Sequence, residues 1–178
     1  MTKNEIITSA EDSFAQFYQT CSGFTETFFF ERPAGKWSVA ENMQHLILSI
    51  NTTTLAYSLP KFLVKWIGGK PNRESRTYDE VQARYNKRLE EGATASSRYV
   101  PKPIEIKYGK EKLLSNWKKS TERFIRVLDN KRTEKDLDNY LVKHPLLGPI
   151  TLRELCYFTI FHARHHAESI NKRITAAP

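Results

Sequence analysis

Four segments of the chain repeat their apolar residues at the three-to-four spacing of an amphipathic helix, and none shows the sustained alternation of a half-buried strand. Breaks containing proline and glycine separate them. Helices of this kind must bury their apolar faces against one another. The chain has 178 residues, enough for one domain with a substantial core. The pattern predicts an all-α fold, a four-helix bundle forming a single domain over residues 1–178.

Capping signals set the expected starts of these helices. Ser38 and Glu41 have capping-box spacing, as do Thr2 with Glu5 and Thr151 with Glu154. The four main helices are predicted at 3–30, 39–59, 110–128 and 152–174, with shorter ones at 61–67 and 78–91. The run from His144 to Pro149 separates the last two main helices and is predicted as a break.

The connection between the second and third main helices is long for a compact domain. Residues 94–107 within it contain Pro101 and Pro103 and are predicted to be extended. The length permits a crossover, so the order of helices in the bundle is not fixed by the sequence. Connections of this length often form lids or site walls, and the polar insert at 70–108 is a candidate for either.

Positive charge is concentrated in the middle of the chain. The net charge is +8, and residues 61–135 hold 20 of the 28 basic and 10 of the 20 acidic residues. Such a segment could attract an anionic partner. A solvated face is the favoured interpretation, because the charges alternate and no nucleic-acid-binding motif accompanies them. Nucleic-acid binding is therefore the last-ranked alternative.

The sequence also carries expectations about compartment. We find neither an apolar run long enough to cross a membrane nor the pattern of a signal peptide. The two cysteines, Cys21 and Cys156, lie far apart in sequence and are expected to be reduced core thiols. These features predict a cytoplasmic protein without a membrane partner.

Two histidines four residues apart give the sharpest chemical signal. His162 and His166 would lie on one face of the last helix, where both imidazoles could bind one metal ion. His165 also has helical spacing with His162. The apolar stripe through Leu155, Thr159 and Ile170 nevertheless includes the first pair, and it predicts that His165 faces outward or flanks the site.

A third ligand must come from another element, because two histidines hold an ion poorly. His45 is the only histidine on a different main helix, and His144, before a proline in a turn, is the weaker candidate. His45 lies at the edge of its helix's apolar stripe, near Asn42 and Ser49, which favours a cleft over a closed core. Spacing alone does not pair His45 with the other two.

The sequence resembles the DinB-like (DinB/YfiT-like) superfamily. One motif is the stretch from Lys36 to Leu46, which contains a Trp-Ser element and ends just after His45. The other is the helix from His162 to Ile170 with its two histidines, preceded by a matching stretch from Pro145 to Leu155. The resemblance extends over nearly the whole chain and implies a four-helix bundle.

The resemblance also implies a site and a chemistry. The family's three metal-binding histidines correspond to His45, His162 and His166, and zinc and nickel are the metals expected. Some relatives are transferases or isomerases that use a low-molecular-weight thiol. Relatives are often homodimers, and an apolar stripe could serve such an interface here: Phe62, Leu63, Trp66 and Ile67. The insert at 70–108 departs from the compact members, so no substrate is carried over.

The leading hypothesis is a metal-dependent enzyme, a thiol-dependent transferase or a related hydrolase or isomerase acting on a small molecule. Glu41 is a weak catalytic candidate, since its capping role is the favoured explanation. Asn42, Ser49 and His165 are the expected flanking residues. The alternatives are a non-catalytic metal-binding or stress-associated module and, last, a protein that binds an anionic partner through its basic middle.

Overall fold

The computed structural model describes residues 1–33 and 35–175. Eight α-helices and one β-hairpin lie within this part of the chain. In chain order they are α1 (Lys3–Ser22), α2 (Glu26–Phe30), α3 (Val39–Ser58), α4 (Lys61–Gly68), α5 (Tyr78–Glu90), α6 (Lys110–Lys131), α7 (Glu134–Asn139), β1 (Leu141–His144), β2 (Gly148–Thr151) and α8 (Leu152–Thr175).

The four long helices form the predicted bundle. α1 packs against α8 and α6, and α3 packs against the same two helices from the other side. Their apolar stripes meet in one core, in which the largest fully buried side chains include Trp117, Tyr57, Phe17 and Phe124. The Trp117 indole packs at a tilt against Phe17, with ring centroids 4.6 Å apart, and donates a hydrogen bond to the Phe14 carbonyl. The helical bundle predicted from periodicity is therefore confirmed.

The predicted helix starts are also confirmed. The Ser38 hydroxyl accepts the Glu41 N–H, and the Glu41 carboxylate accepts the Ser38 N–H. The same reciprocal pair links Thr151 to Glu154 ahead of α8. Each pair satisfies N–H groups that the first turn of a helix would otherwise leave unbonded.

Three elements differ from the sequence prediction. The first predicted helix ends at Ser22, and Thr25 then caps α2 by accepting the Phe28 N–H. The short helix α7 and the hairpin β1–β2 were not predicted. The hairpin pairs Leu141 with Thr151 and His144 with Gly148, and it occupies the stretch where proline and glycine had indicated only a break. Strands of four residues are too short to show a period-two pattern.

The long connection runs alongside α8, passes over α3 and ends beside α6. Its helix α5 packs on α8, and residues 97–99 and 106–108 form single 3₁₀ turns within the stretch predicted to be extended. The Glu154 carboxylate is fully buried and accepts hydrogen bonds from both terminal nitrogens of Arg73 and from the Arg76 N–H. These bonds fix the start of the connection on the first turn of α8.

Two smaller observations bear on the other expectations. Cys21 and Cys156 are both free thiols buried in the core, as predicted. Among the described residues, no helix combines the length and apolar character needed to cross a membrane.

Candidate metal centre

Three imidazoles from two helices point their Nε2 atoms at one another. His45 Nε2 lies 3.0 Å from His162 Nε2, and His166 Nε2 lies 3.1 Å from the same atom. One potential ligand atom from each of the three residues falls within 4.8 Å of the others. The structure thus brings together the three histidines that the sequence and the family resemblance had singled out.

The packing of α3 on α8 creates this arrangement. His162 and His166 lie one turn apart on α8, and His45 faces them from α3. His45 is only 5% exposed, although its place at the edge of the apolar stripe had suggested an open cleft. The connection closes that edge, because the turn at 97–99 lies over α3 and carries Tyr99 to the His45 ring.

A backbone carbonyl fixes the tautomer of His45. The Tyr99 carbonyl oxygen lies 2.7 Å from His45 Nδ1. A carbonyl can only accept, so Nδ1 must carry the proton and donate it. The neutral ring then presents an unprotonated Nε2, with its lone pair directed at the other two histidines.

An amide oxygen does the same for His166. The Asn42 Nδ2 group donates to the carbonyls of Ser38, at 2.8 Å, and Trp37, at 3.3 Å. Those bonds orient the amide so that its oxygen faces His166 Nδ1 at 2.7 Å. His166 therefore also carries its proton on Nδ1 and presents a bare Nε2. Asn42, expected only to flank the site, is bonded directly to a candidate ligand.

Burial keeps the two innermost rings uncharged. Desolvation lowers the pKa of His45, although its hydrogen bond to Tyr99 acts in the opposite direction. The pKa of His162 lies well below its ordinary value because the ring is buried and faces the other histidines. Near neutral pH both are neutral imidazoles, the form that binds metal ions.

The donor set fits a divalent metal ion. A proton on His162 Nε2 could be donated well to only one of the two facing atoms, His45 Nε2 or His166 Nε2. The lone pair of the other would then have no donor. A cation satisfies all three lone pairs at once. Tetrahedral zinc with bonds of about 2.0–2.1 Å separates its ligand nitrogens by roughly 3.3 Å, close to the 3.0 and 3.1 Å found here. Imidazole also suits nickel, copper and iron.

The other predicted site residues lie at different distances from this centre. The Glu41 carboxylate accepts the capping-box hydrogen bond and forms an ion pair with Arg32, whose Nε lies 3.3 Å away. The His165 ring packs against His166 with centroids 5.4 Å apart, beside the candidate ligands. Ser49 lies one turn after His45 on α3 and lines a cavity next to the site.

That cavity has a volume of about 110 Å³, and its wall includes His45 and His162. Buried side chains of α3 and α8 form its floor, including Thr53, Leu155 and Phe158. Tyr85 of α5, Tyr99 of the connection and the β1–β2 hairpin complete it. The connection is therefore a site wall, one of the two roles that its length had suggested.

Sequence reasoning missed several of these wall residues. Phe158 lies outside the apolar stripe predicted for the last helix, yet it is 4% exposed and stacks on His162 with ring centroids 4.7 Å apart. The error has a physical cause, since α8 is covered on several sides by α1, α3, α5 and the hairpin, and one apolar stripe does not describe such a helix. Tyr85 had one usable signal, its apolar spacing with Val81 on the predicted helix at 78–91.

Comparisons with known proteins agree with this structure. A family model described as the DinB superfamily matches residues 9–170. No curated protein matches the sequence. A matching solved structure is described as the colibactin self-resistance protein ClbS in complex with a dsDNA. It is 15% identical, the alignment covers 99% of this chain and 98% of that one, and the TM-score is 0.57.

Proposed function

The chain belongs to the DinB superfamily, and from this premise we propose that it is a metal-dependent enzyme acting on a small molecule. His45, His162 and His166 would hold one divalent ion, with zinc or nickel the expected metals. The small molecule would occupy the cavity beside them. The expected reaction is a transfer or a hydrolysis, with a low-molecular-weight thiol or water as the nucleophile.

One observation carries the proposal, the convergence of three Nε2 atoms about a single point. Two of the three rings have their protons held on Nδ1 by oxygen acceptors. Such partners are typical of histidines that ligate metals, because they fix the tautomer and the ring orientation. A purely structural cluster of buried histidines has no comparable reason to direct its lone pairs inward.

The ligand set favours catalysis over a structural role. Three neutral protein ligands leave a coordination position open, as in catalytic zinc sites, whereas structural sites are closed by four. A bound divalent ion supplies Lewis acidity and lowers the pKa of a water or thiol at that position. The chain itself contributes a cavity with buried walls beside His45 and His162, which limits the access of bulk water to a bound substrate.

Metal analysis of protein purified without a histidine tag or added metal tests the proposal. We expect about one zinc or nickel ion per chain, and loss of that ion in His162→Ala. His165→Ala is the matched control, since His165 lies on the same helix outside the cluster, and it should keep the ion. An intact native chain with no ion and no affinity for zinc or nickel would overturn the proposal.

Turnover separates an enzyme from a non-catalytic metal-binding module. The metal-loaded protein is mixed with a small thiol and a chromogenic electrophile, and the rate is compared with that of His162→Ala. Metal-dependent product formation supports the enzyme. A large fall in melting temperature on chelation, without turnover against a broad set of electrophiles and esters, supports the module.

A second candidate function is DNA binding through a basic surface. ClbS was crystallised with dsDNA, and α6 here exposes five basic side chains: Lys112, Lys118, Lys119, Arg123 and Arg126. Binding of this kind weakens steeply as salt rises, because neutralised phosphates release counterions. We expect Lys118→Glu with Lys119→Glu to flatten that salt dependence in a duplex-binding titration. Absence of duplex binding at low salt would remove this candidate.

A further inference from the structure

Three hydroxyl-bearing side chains line the wall of the cavity. Ser49, Thr53 and Tyr85 are 9%, 5% and 7% exposed, and all three line the cavity beside His45 and His162. None of these hydroxyls bonds to any residue that the structure describes. Their neighbours behave differently, since Thr52 and Thr54 both donate to carbonyls of their own helix.

The hydroxyl oxygens of Ser49, Thr53 and Tyr85 stay accessible from the cavity, so whatever fills the cavity supplies their partners, because native proteins leave few polar groups unpaired. Ser49 and Thr53 lie one and two turns beyond His45 on α3. Tyr85 approaches from α5, with its ring centroid 6.0 Å from that of His162. Ser49 and Thr53 thus follow the α3 wall away from His45, and Tyr85 faces the cavity from α5.

His144 adds a fourth donor to this wall. Its Nδ1 accepts the backbone N–H groups of Leu146, at 3.2 Å, and Leu147, at 3.1 Å. The ring proton must then lie on Nε2, which makes no hydrogen bond within the described part of the chain. The ring packs against Phe158 with centroids 4.3 Å apart and lines the cavity.

The charge of the lining is one-sided. Of the described residues around the cavity, none is an aspartate or a glutamate, and the single lysine, Lys143, is exposed at the mouth. The wall therefore offers several donors and no anionic acceptor. It is suited to a ligand rich in acceptors.

We propose that the cavity binds a small monocarboxylic acid with an apolar body, its carboxylate held by Ser49, Thr53 and Tyr85. A carboxylate offers about four acceptor positions, so it can satisfy all three hydroxyls. The apolar body lies against Leu155, Phe158 and Ala56, and Lys143 attracts the anion at the mouth. The inference names the substrate class of the proposed enzyme, and it rests on that function only for the chemical step after binding.

The size of the cavity limits the ligand. A water molecule needs about 10–15 Å³ on the same measure, so about 110 Å³ admits a ligand of roughly ten non-hydrogen atoms. Phenylacetate has this size and serves as the probe. Benzyl alcohol, similar in shape and uncharged, serves as the neutral comparison.

Calorimetric titration of the full-length protein with both probes tests the inference, in metal-loaded and in chelator-treated samples. We expect phenylacetate to bind at least about ten times more tightly than benzyl alcohol, because hydrogen bonds to a charged group are the stronger ones. Tyr85→Phe and Ser49→Ala should each weaken phenylacetate binding about tenfold or more while leaving the metal content unchanged. Tyr18→Phe, on α1 away from the cavity, is the control and should have no effect.

The outcomes separate this inference from the proposed function. Equal affinity for the two probes, or phenylacetate binding that Tyr85→Phe and Ser49→Ala leave intact, would overturn the carboxylate assignment. No phenylacetate binding by a protein that holds its metal would overturn the inference and leave the metalloenzyme standing. Phenylacetate binding that depends on the hydroxyls, in a protein without metal affinity, would support the inference and overturn the metalloenzyme.

Discussion

Two oxygen atoms decide where the protons lie on the candidate ligands, and neither belongs to an ionisable group. The Tyr99 carbonyl accepts from His45, and the Asn42 amide oxygen accepts from His166. A carboxylate in either place would add negative charge that offsets part of the charge of a bound ion. These neutral acceptors fix the tautomer without adding charge. The ion would therefore keep more of its positive charge for the open coordination position.

Removal of the Asn42 amide should weaken metal binding without removing a ligand. In Asn42→Ala, His166 loses the acceptor that holds its proton on Nδ1, and its ring is free to rotate or change tautomer. Loss of such a partner typically costs 10–100-fold in metal affinity, and we expect a decrease in this range in a competition titration with a chromophoric chelator. Asn51→Ala, at an exposed position of the same helix, is the control. Unchanged affinity in Asn42→Ala would contradict the role given to the amide.

His144 should make the stability of the metal-free protein depend on pH. Burial lowers the pKa of His144 to about 4, against about 6.5 in an unfolded chain. Between these two values the unfolded chain binds the His144 proton more readily than the folded chain does. The free energy of unfolding therefore falls as the pH falls from about 6.5 towards 4. At about 1.4 kcal/mol per pH unit, the loss amounts to at most about 3 kcal/mol.

Urea denaturation with chelator present, repeated from pH 7.5 to pH 4.5, measures this loss. His144→Asn keeps a side-chain acceptor near the Leu146 and Leu147 N–H groups but cannot titrate. The difference in unfolding free energy between the wild type and this variant should shrink or change sign as the pH falls. A difference that stays constant over the range would show that the pKa of His144 is the same in the folded and unfolded states.

The site was only partly predictable at this scale. His162 and His166 follow from helical spacing, because residues four apart always share a face. His45 needed the family resemblance, since no local rule relates a residue on α3 to one on α8 more than 100 positions later. Tyr99 could not have been found from its side chain, because it contributes a backbone carbonyl, which any residue at that position would supply.

At the scale of elements, α8 determines the rest of the architecture. It contacts α1, α3, α5, α7 and both strands, so nearly every part of the fold is positioned against it. Its first turn carries Glu154, whose buried carboxylate binds Arg73, the Arg76 N–H and the Thr151 N–H. Burial acts to raise the pKa of Glu154, but these hydrogen bonds outweigh burial and the pKa lies below its ordinary value.

Glu154→Gln should loosen the start of the connection. The amide keeps the size of the side chain, but its NH₂ group would face N–H donors that the carboxylate now accepts. We expect the free energy of unfolding to fall by about 3 kcal/mol, the lower end of the range found when one partner of a buried ion pair is removed, because Arg73 and Arg76 are partly exposed. Amide hydrogen exchange should rise at residues 73–77 before it rises in the bundle. Glu90→Gln, at an exposed position of α5, should change neither measurement.

The elements that sequence patterns predicted were those whose signals are local and long. Three of the four main helices and α5 show both periodicity and capping residues, and α6 shows periodicity alone. The hairpin and α7 show no recognisable period, because strands of four residues and a helix of six carry too few positions for one. Their conformations depend on packing against α8 and α4, which is a tertiary effect.

At the scale of the whole molecule, the crossover both completes the site and leaves one apolar surface uncovered. It delivers Tyr85 and Tyr99 to the cavity from outside the bundle. At the other end of α3, the short helix α4 exposes Phe62, Trp66 and Ile67 at 71%, 83% and 54%. Large apolar side chains grouped in this way on a surface usually mark an interaction site.

We expect this surface to join two copies of the chain, in agreement with the dimers implied by the family resemblance. A buried tryptophan is often among the few residues that dominate an interface, where its loss costs about 2 kcal/mol or more. Trp66→Glu should therefore raise the dimer dissociation constant about 30-fold or more, measured by sedimentation velocity over a range of concentrations. Ile106→Glu places the same charge at another exposed apolar position, 51% exposed, and should leave the dimer intact. A wild-type chain that stays monomeric at high concentration, or a dimer insensitive to Trp66→Glu, would remove α4 from the interface.

The interface also bears on the site, because α4 packs on β1, whose last residue, His144, lines the cavity. An interface on α4 would hold that wall in place, so Trp66→Glu should weaken phenylacetate binding only if the protein is a dimer.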